Sequence, residues 1–297
     1  MIETLINEGW QYHDSKPEHL AQELEDSSTS VTQEQTTNFL NLSNHTIGEH
    51  LGDWKRARKV AEAVTDQSPI TASTTRAGIL LAVARFMDGD PLGSRQAELA
   101  AIGASTDPEV ALYAGLETSM SIAKALIFSK RFHEGERLYR SVIDAVSGTE
   151  QPTPLDRSFA IASNNIANEL LDLPAHNKLL SDLMVLCALE SLRFWKRCGT
   201  WENNERGLLL LALVGNKLGQ YEKAITYAEQ ALAIISDHGG EPVDEAFVRL
   251  AVANSHLGSS SDADYVVELQ KADDLARSWD DDSLYAWYQE ERAKVER

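Results

Sequence analysis

The chain runs to 297 residues, 43% hydrophobic and 25% charged, with a formal net charge of −19 and an isoelectric point near 4.8. Such acidity argues against nucleic acid and anionic membrane surfaces as partners, because both call for a lysine and arginine footprint. It is compatible with a basic peptide partner or simply with a well-solvated surface. The longest apolar run, Leu208 to Val214, falls far short of the roughly 20 residues of a membrane span. Glu3, Asn7 and Glu8 interrupt the first apolar residues and no basic cluster precedes them, so the cytoplasm is the expected location. Cys187 and Cys198 are the only cysteines, too few for a disulfide framework. Cys187 reads as a buried apolar residue and Cys198 as partly exposed near a helix end.

Helical periodicity runs through the chain without a convincing β alternation. Amphipathic segments at 2–12 and 17–25 precede a polar stretch, Glu25 to Thr37, that reads as a linker, so residues 1–30 form an N-terminal helical cap and polar linker, with the first 25 loosely docked. Helix pairs follow at 32–50 with 53–66, 71–87 with 92–103, 108–129 with 132–147, and 155–171 with 176–198. Two more pairs, 201–218 with 221–237 and 242–257 with 261–278, complete a repeat region over 31–278. The fourth pair is the irregular one, its turn lengthened across Asp172-Leu173-Pro174. Residues 279–297 open on Asp280-Asp281-Asp282-Ser283, carboxylates that suit a helix N-terminus, and read as a polar C-terminal capping helix.

A cue recurs between the paired helices. Its two sharpest copies are Leu51-Gly52-Asp53-Trp54-Lys55-Arg56-Ala57 and Leu218-Gly219-Gln220-Tyr221-Glu222-Lys223-Ala224. Weaker copies run from Gly89 to Ser94, Lys130 to Gly135 and Gly258 to Ala263. The period is about 40 residues, with one double-length interval, which means stacked hairpins, since a lone hairpin cannot cover its own apolar face. In the fifth pair Leu208, Leu211, Ala212, Gly215 and Leu218 make one stripe, and Ala224, Ala228, Ala231 and Leu232 the matching one. Small residues at Gly215 and Ala224 are expected to mark the helix crossing, with Tyr221 filling the wedge beyond the turn.

The pattern Leu208, Leu211, Ala212, Gly219, Tyr221, Ala224, Ala228 and Ala231 resembles the tetratricopeptide repeat. The same slots hold Asn44, His45, Gly52, Trp54, Ala57, Ala61 and Val64 in the first pair, Ile122, Ala123, Phe132, Gly135, Tyr139 and Val142 in the third, and Phe247, Leu250, Ala251, Gly258, Ala263 and Val267 in the sixth. The family's tryptophan slot never holds tryptophan here and its closing proline is mostly absent. The resemblance implies an all-α, right-handed α-α superhelix of about six hairpins with terminal capping helices, its first helices lining a concave groove.

No phosphate-binding loop, His-Glu-x-x-His, Gly-x-Ser-x-Gly or paired CxxC motif occurs, so neither catalysis nor a cofactor is expected. His45 and His50 lie five apart around Glu49, which on an α-helix separates them, and no metal site is expected. His133, His176, His238 and His256 are scattered near turns and helix ends. Trp195, Trp201, Trp279 and Trp287 read first as packing. The cluster Ser163-Asn164-Asn165 with Asn168 stands out: Asn164 and Asn168 share a helical face, and amides both donate and accept, suiting them to an extended peptide backbone. The resemblance adds Arg76, Lys124, Arg206, Asn216 and Lys217 as groove residues, with Thr46, Glu49 and Phe86 beside them. The expected function is a non-enzymatic scaffold or adaptor that binds a protein or peptide in a concave groove, in a bacterial regulatory or assembly role. The competing reading is a glycan-active enzyme on an α/α toroid with paired carboxylates.

Overall fold

The computed structural model describes residues 2–105, 107–148, 151–174 and 177–295. It divides into two compact units, Met1–Leu155 and Asp156–Arg297. Among the described residues every regular element is helical, and no helix is long and apolar enough to cross a membrane.

The first unit holds α1 (Ile2–Tyr12), α2 (Pro17–Ser27), α3 (Thr36–Ser43), α4 (Trp54–Gln67), α5 (Thr75–Met87), α6 (Pro91–Ala104), α7 (Pro108–Phe128) and α8 (Phe132–Val146). The second holds α9 (Asp156–Leu171), α10 (Lys178–Cys198), α11 (Trp201–Lys217), α12 (Tyr221–Asp237), α13 (Pro242–Gly258), α14 (Asp262–Ala276) and α15 (Asp282–Ala293). Consecutive helices pack as hairpins, and within each unit successive first helices also touch: α3 on α5 on α7, and α9 on α11 on α13.

The recurring cue is a helix stop fused to a helix start. Gly89, Lys130, Gly219 and Ser260 all take positive φ, between 62° and 84°. In each case the next residue's N–H reaches the carbonyl five positions back: Asp90 to Arg85, Arg131 to Leu126, Gln220 to Gly215 and Ser261 to His256, at 2.8–2.9 Å. This bonding closes a helix end whose carbonyls lack partners. The residue after the left-handed one then becomes the N-cap of the next helix; Asp90, for example, accepts from the Gly93 N–H at 2.8 Å. In the sixth pair the left-handed position is Ser260. Gly258 is still helical, and a Cβ there would run into the Tyr221 ring. Crossings fall at small residues: a Cβ on Gly215 would lie 3.0 Å from that of Ala224, and one on Gly78 2.8 Å from that of Ala101.

The first turn departs from this scheme. Residues Asn44–His50 are π-helical, with five-residue bonds such as Leu51 N–H to the Thr46 carbonyl at 3.1 Å. The closing bond accordingly spans six residues, Asp53 to Ile47, at 2.9 Å. Gly48 makes room for Trp54, whose ring would be 2.5 Å from a Cβ there. In a π-helix, residues five apart come onto one face. The α-helical spacing argument that set His45 and His50 apart therefore fails at this segment.

The N-terminal helices are built into the core rather than loosely docked. Leu20, Ala21 and Leu24 have no exposed surface and share one apolar cluster with Phe39, Leu40, Ile47, Trp54 and Val60. Arg56 of α4 binds Glu18 at 3.0 Å and Glu25 at 2.8 Å. At the other end α15 is anchored by Tyr288, fully buried with its hydroxyl donating to Asp273 at 2.7 Å. Cys187 is buried and Cys198 exposed.

Candidate functional site

The second unit contains a cavity of about 840 Å³, walled by the end of α9, by α11 and α13, and by α15 with Val295. Its floor is apolar, with Leu209, Leu213, Phe247 and Leu250 prominent, and its lip carries Trp287. Trp287 is 50% exposed with its ring 4.4 Å from that of Phe247. The floor exists because α11 is apolar nearly all round: Leu208 and Leu211 face inward, leaving Leu209 and Leu213 turned to the cavity.

The polar groups around this floor are mostly committed. Arg206 donates from Nε and Nη2 to Asp244 Oδ2, at 3.0 and 2.8 Å. Asn216 donates to the Ala251 carbonyl at 2.8 Å and accepts from the Ser255 hydroxyl at 2.6 Å. It thus ties α11 to α13, as Asn44 ties its own segment to α5 through the Leu80 carbonyl at 2.9 Å. Lys217 donates to the Leu173 carbonyl at 2.8 Å, and Lys294 pairs with Glu291 at 2.6 Å. The exceptions are Asn254 and Asp172, whose side chains bond to no described residue.

Behind Arg206 lies Glu205, whose side chain has no exposed surface. Burial, and then Asp244 as hydrogen-bond acceptor and like charge, push its carboxyl up to about 9. Ionised, both its oxygens would be buried without a hydrogen-bonding donor, with Arg206 Nε no nearer than 3.5 Å. The protonated form avoids that cost. Nothing in the local sequence marks this residue, because its burial depends on how α11 meets α13.

The other residues singled out from sequence are divided between the units. Asn164 and Asn168 sit half-buried on α9; Asn168 donates to the Asn164 carbonyl at 3.0 Å, and neither reaches the cavity. In the first unit Arg76 pairs with Glu117 at 2.7 Å. Lys124 is bound to Glu49 at 2.8 Å and lies over the Phe128 ring at 5.2 Å, so it is not a bare basic charge. Burial raises the Glu49 carboxyl, but Lys124 and His45 outweigh it and hold it below the usual range. Thr46 is fully buried. Trp195 is packed, and Trp201 stacks on His238 at 4.7 Å. His176 lies outside the described residues.

No protein-family model matches the chain, and no curated protein matches it in sequence.

Proposed function

We propose that the chain is a binding scaffold of the tetratricopeptide-like solenoid class, whose ligand is a peptide segment of another protein seated in the cavity of the second unit. The carrying observation is an open apolar cavity of about 840 Å³ walled by first helices and lipped by the half-exposed Trp287. A pocket of this size suits one or two large apolar side chains, with a few polar groups to orient the backbone. Asn254 is the available amide. Asn164, Asn168 and Leu171 fall at i, i+4 and i+7 on α9, so they share a face leading to the cavity wall. On this reading the two amides, which now bond within α9, exchange those bonds for the segment's backbone where it continues beyond the pocket.

The glycan-cleaving reading gains no support from the carboxyl pair beside this cavity. Glu205 is enclosed and does not line it, and Asp244 is held by Arg206.

The test is selection of peptides from a random displayed library on the full chain, followed by affinity measurement. Peptides bearing bulky apolar residues should be enriched, and Trp287→Ala should weaken them about 10-fold or more, as expected for an aromatic anchor. Failure to enrich any peptide, or binding unchanged by Trp287→Ala and Leu213→Arg, refutes the assignment.

A further inference from the structure

Three histidines far apart in sequence meet in the first unit. His13 follows the end of α1, while His45 and His50 lie on one face of the π-helical segment. The His45 and His50 Nε2 atoms are 3.0 Å apart, and one nitrogen from each of the three rings lies within 4.8 Å of the others. The rings are sheltered but not sealed, with 17%, 22% and 30% of their side-chain surfaces exposed in chain order.

The other nitrogen of each ring faces an oxygen. His13 Nδ1 is 2.8 Å from the Trp10 carbonyl, His45 Nδ1 is 2.9 Å from Glu49 Oε2, and His50 Nδ1 is 3.3 Å from Asp14 Oδ1. With the proton on Nδ1 all three contacts are satisfied and each Nε2 is left as a lone-pair donor; Asp14 Oδ1 also stands 3.5 Å from His13 Nε2, at the edge of the group. Metal-binding histidines are oriented in this way, with the second nitrogen donating to a carboxylate or carbonyl. Glu49 is itself held by Lys124 of α7, and only 6% of its side chain is exposed. Trp10 flanks the group, its ring 5.2 Å from His45 and 5.5 Å from His13.

We propose that His13, His45 and His50 bind a divalent zinc-type metal ion through Nε2, leaving a fourth position open to solvent. Three imidazoles with no thiolate among them suit Zn²⁺ and its neighbours Co²⁺, Ni²⁺ and Cu²⁺ rather than Mg²⁺ or Ca²⁺, which prefer oxygen. At a Zn–N distance of about 2.0–2.1 Å, tetrahedral geometry separates ligand nitrogens by about 3.4 Å. His45 and His50 Nε2 stand at 3.0 Å and the whole set falls within 4.8 Å, so small side-chain rotations suffice to reach that geometry. Without a metal, the 3.0 Å contact between the His45 and His50 Nε2 atoms requires one of the two to carry a proton; a metal ion takes the place of that proton and draws in the third ring. The same segment carries buried, unpartnered oxygens on Ser43, Asn44 and Thr46, and π-helical turns are frequently retained at functional sites. An ion here joins the end of α1 to the first hairpin, so binding stiffens the N-terminal part of the unit.

The test uses the full chain without a histidine tag, stripped with chelator and titrated with Co²⁺, then with Zn²⁺ in competition. One equivalent of Co²⁺ should bind with the intense visible absorption of a tetrahedral complex, and Zn²⁺ should displace it. His45→Ala and His50→Ala should each weaken Co²⁺ binding by about 100-fold or more, since each removes a direct ligand where even an orienting partner is worth 10–100-fold. His133→Ala and His256→Ala should change nothing. The proposal is overturned if the stripped wild-type chain takes up no stoichiometric Co²⁺, a result that needs no variant to fold. It is equally overturned if folded His50→Ala, checked by circular dichroism, binds as the wild type does.

Discussion

Replacing Glu205 by Gln tests the reading that a carboxyl is buried in its neutral form beside the cavity. The unfolded chain ionises this group near 4.5, whereas the folded chain holds its proton to about 9. Between those values the folded state binds more protons than the unfolded one, so the wild type loses stability as pH rises, by about 1.4 kcal/mol per pH unit from this group. The stability is fully present below pH 4.5, is reduced by about 3 kcal/mol at pH 7, and continues to fall until the folded group ionises near 9. Gln keeps the shape and a donor for Asp244 but cannot ionise. Urea unfolding of both proteins at intervals from pH 5 to 8 should show the variant's advantage growing steadily with pH. At pH 7 the gain corresponds to a melting temperature roughly 6–12 °C higher. Parallel stability curves across that range would show that Glu205 is not held neutral, and the account of its burial against Asp244 would fail.

Two further substitutions probe the scaffold. Ala224→Leu places a branched side chain where Gly215 and Ala224 leave no space, 3.0 Å from a Cβ on Gly215, and should cost about 1–3 kcal/mol; an unchanged urea midpoint would refute the crossing. Lys124→Met leaves the nearly buried Glu49 without its cation and should destabilise the first unit by about 3 kcal/mol. Thermal unfolding indistinguishable from wild type would show that His45 alone balances Glu49.

The positions of most helices were legible from the chain because they depend on local rules. Apolar stripes, N-caps and left-handed stops act over a few residues, so the hairpins from α5 to α14 appear close to where the pattern placed them. The crossing at Gly215 and Ala224 was equally readable, since close backbone approach demands small residues. The cue carried more than glycine, however. Lys130 and Ser260 take the same left-handed turn with side chains that disfavour it, because the paired closing hydrogen bonds, not residue type alone, fix that conformation.

The candidate sites were less legible, for a physical reason. Arg76, Lys124, Arg206, Asn216 and Lys217 were visible as polar side chains on first helices, but their partners lie 35 to 75 residues away, and such pairing leaves no local signature. That His45 and His50 meet was not legible, because a five-residue spacing separates side chains on an α-helix and brings them together on a π-helix, and the choice between the two goes with the packing of Trp54 on Gly48. By itself the sequence determined that this is a chain of helical hairpins and where each one turns. The tertiary structure alone decided which charges are neutralised, that Glu205 is enclosed, and that His13 meets His45 and His50, because burial and convergence arise only when separate helices come together.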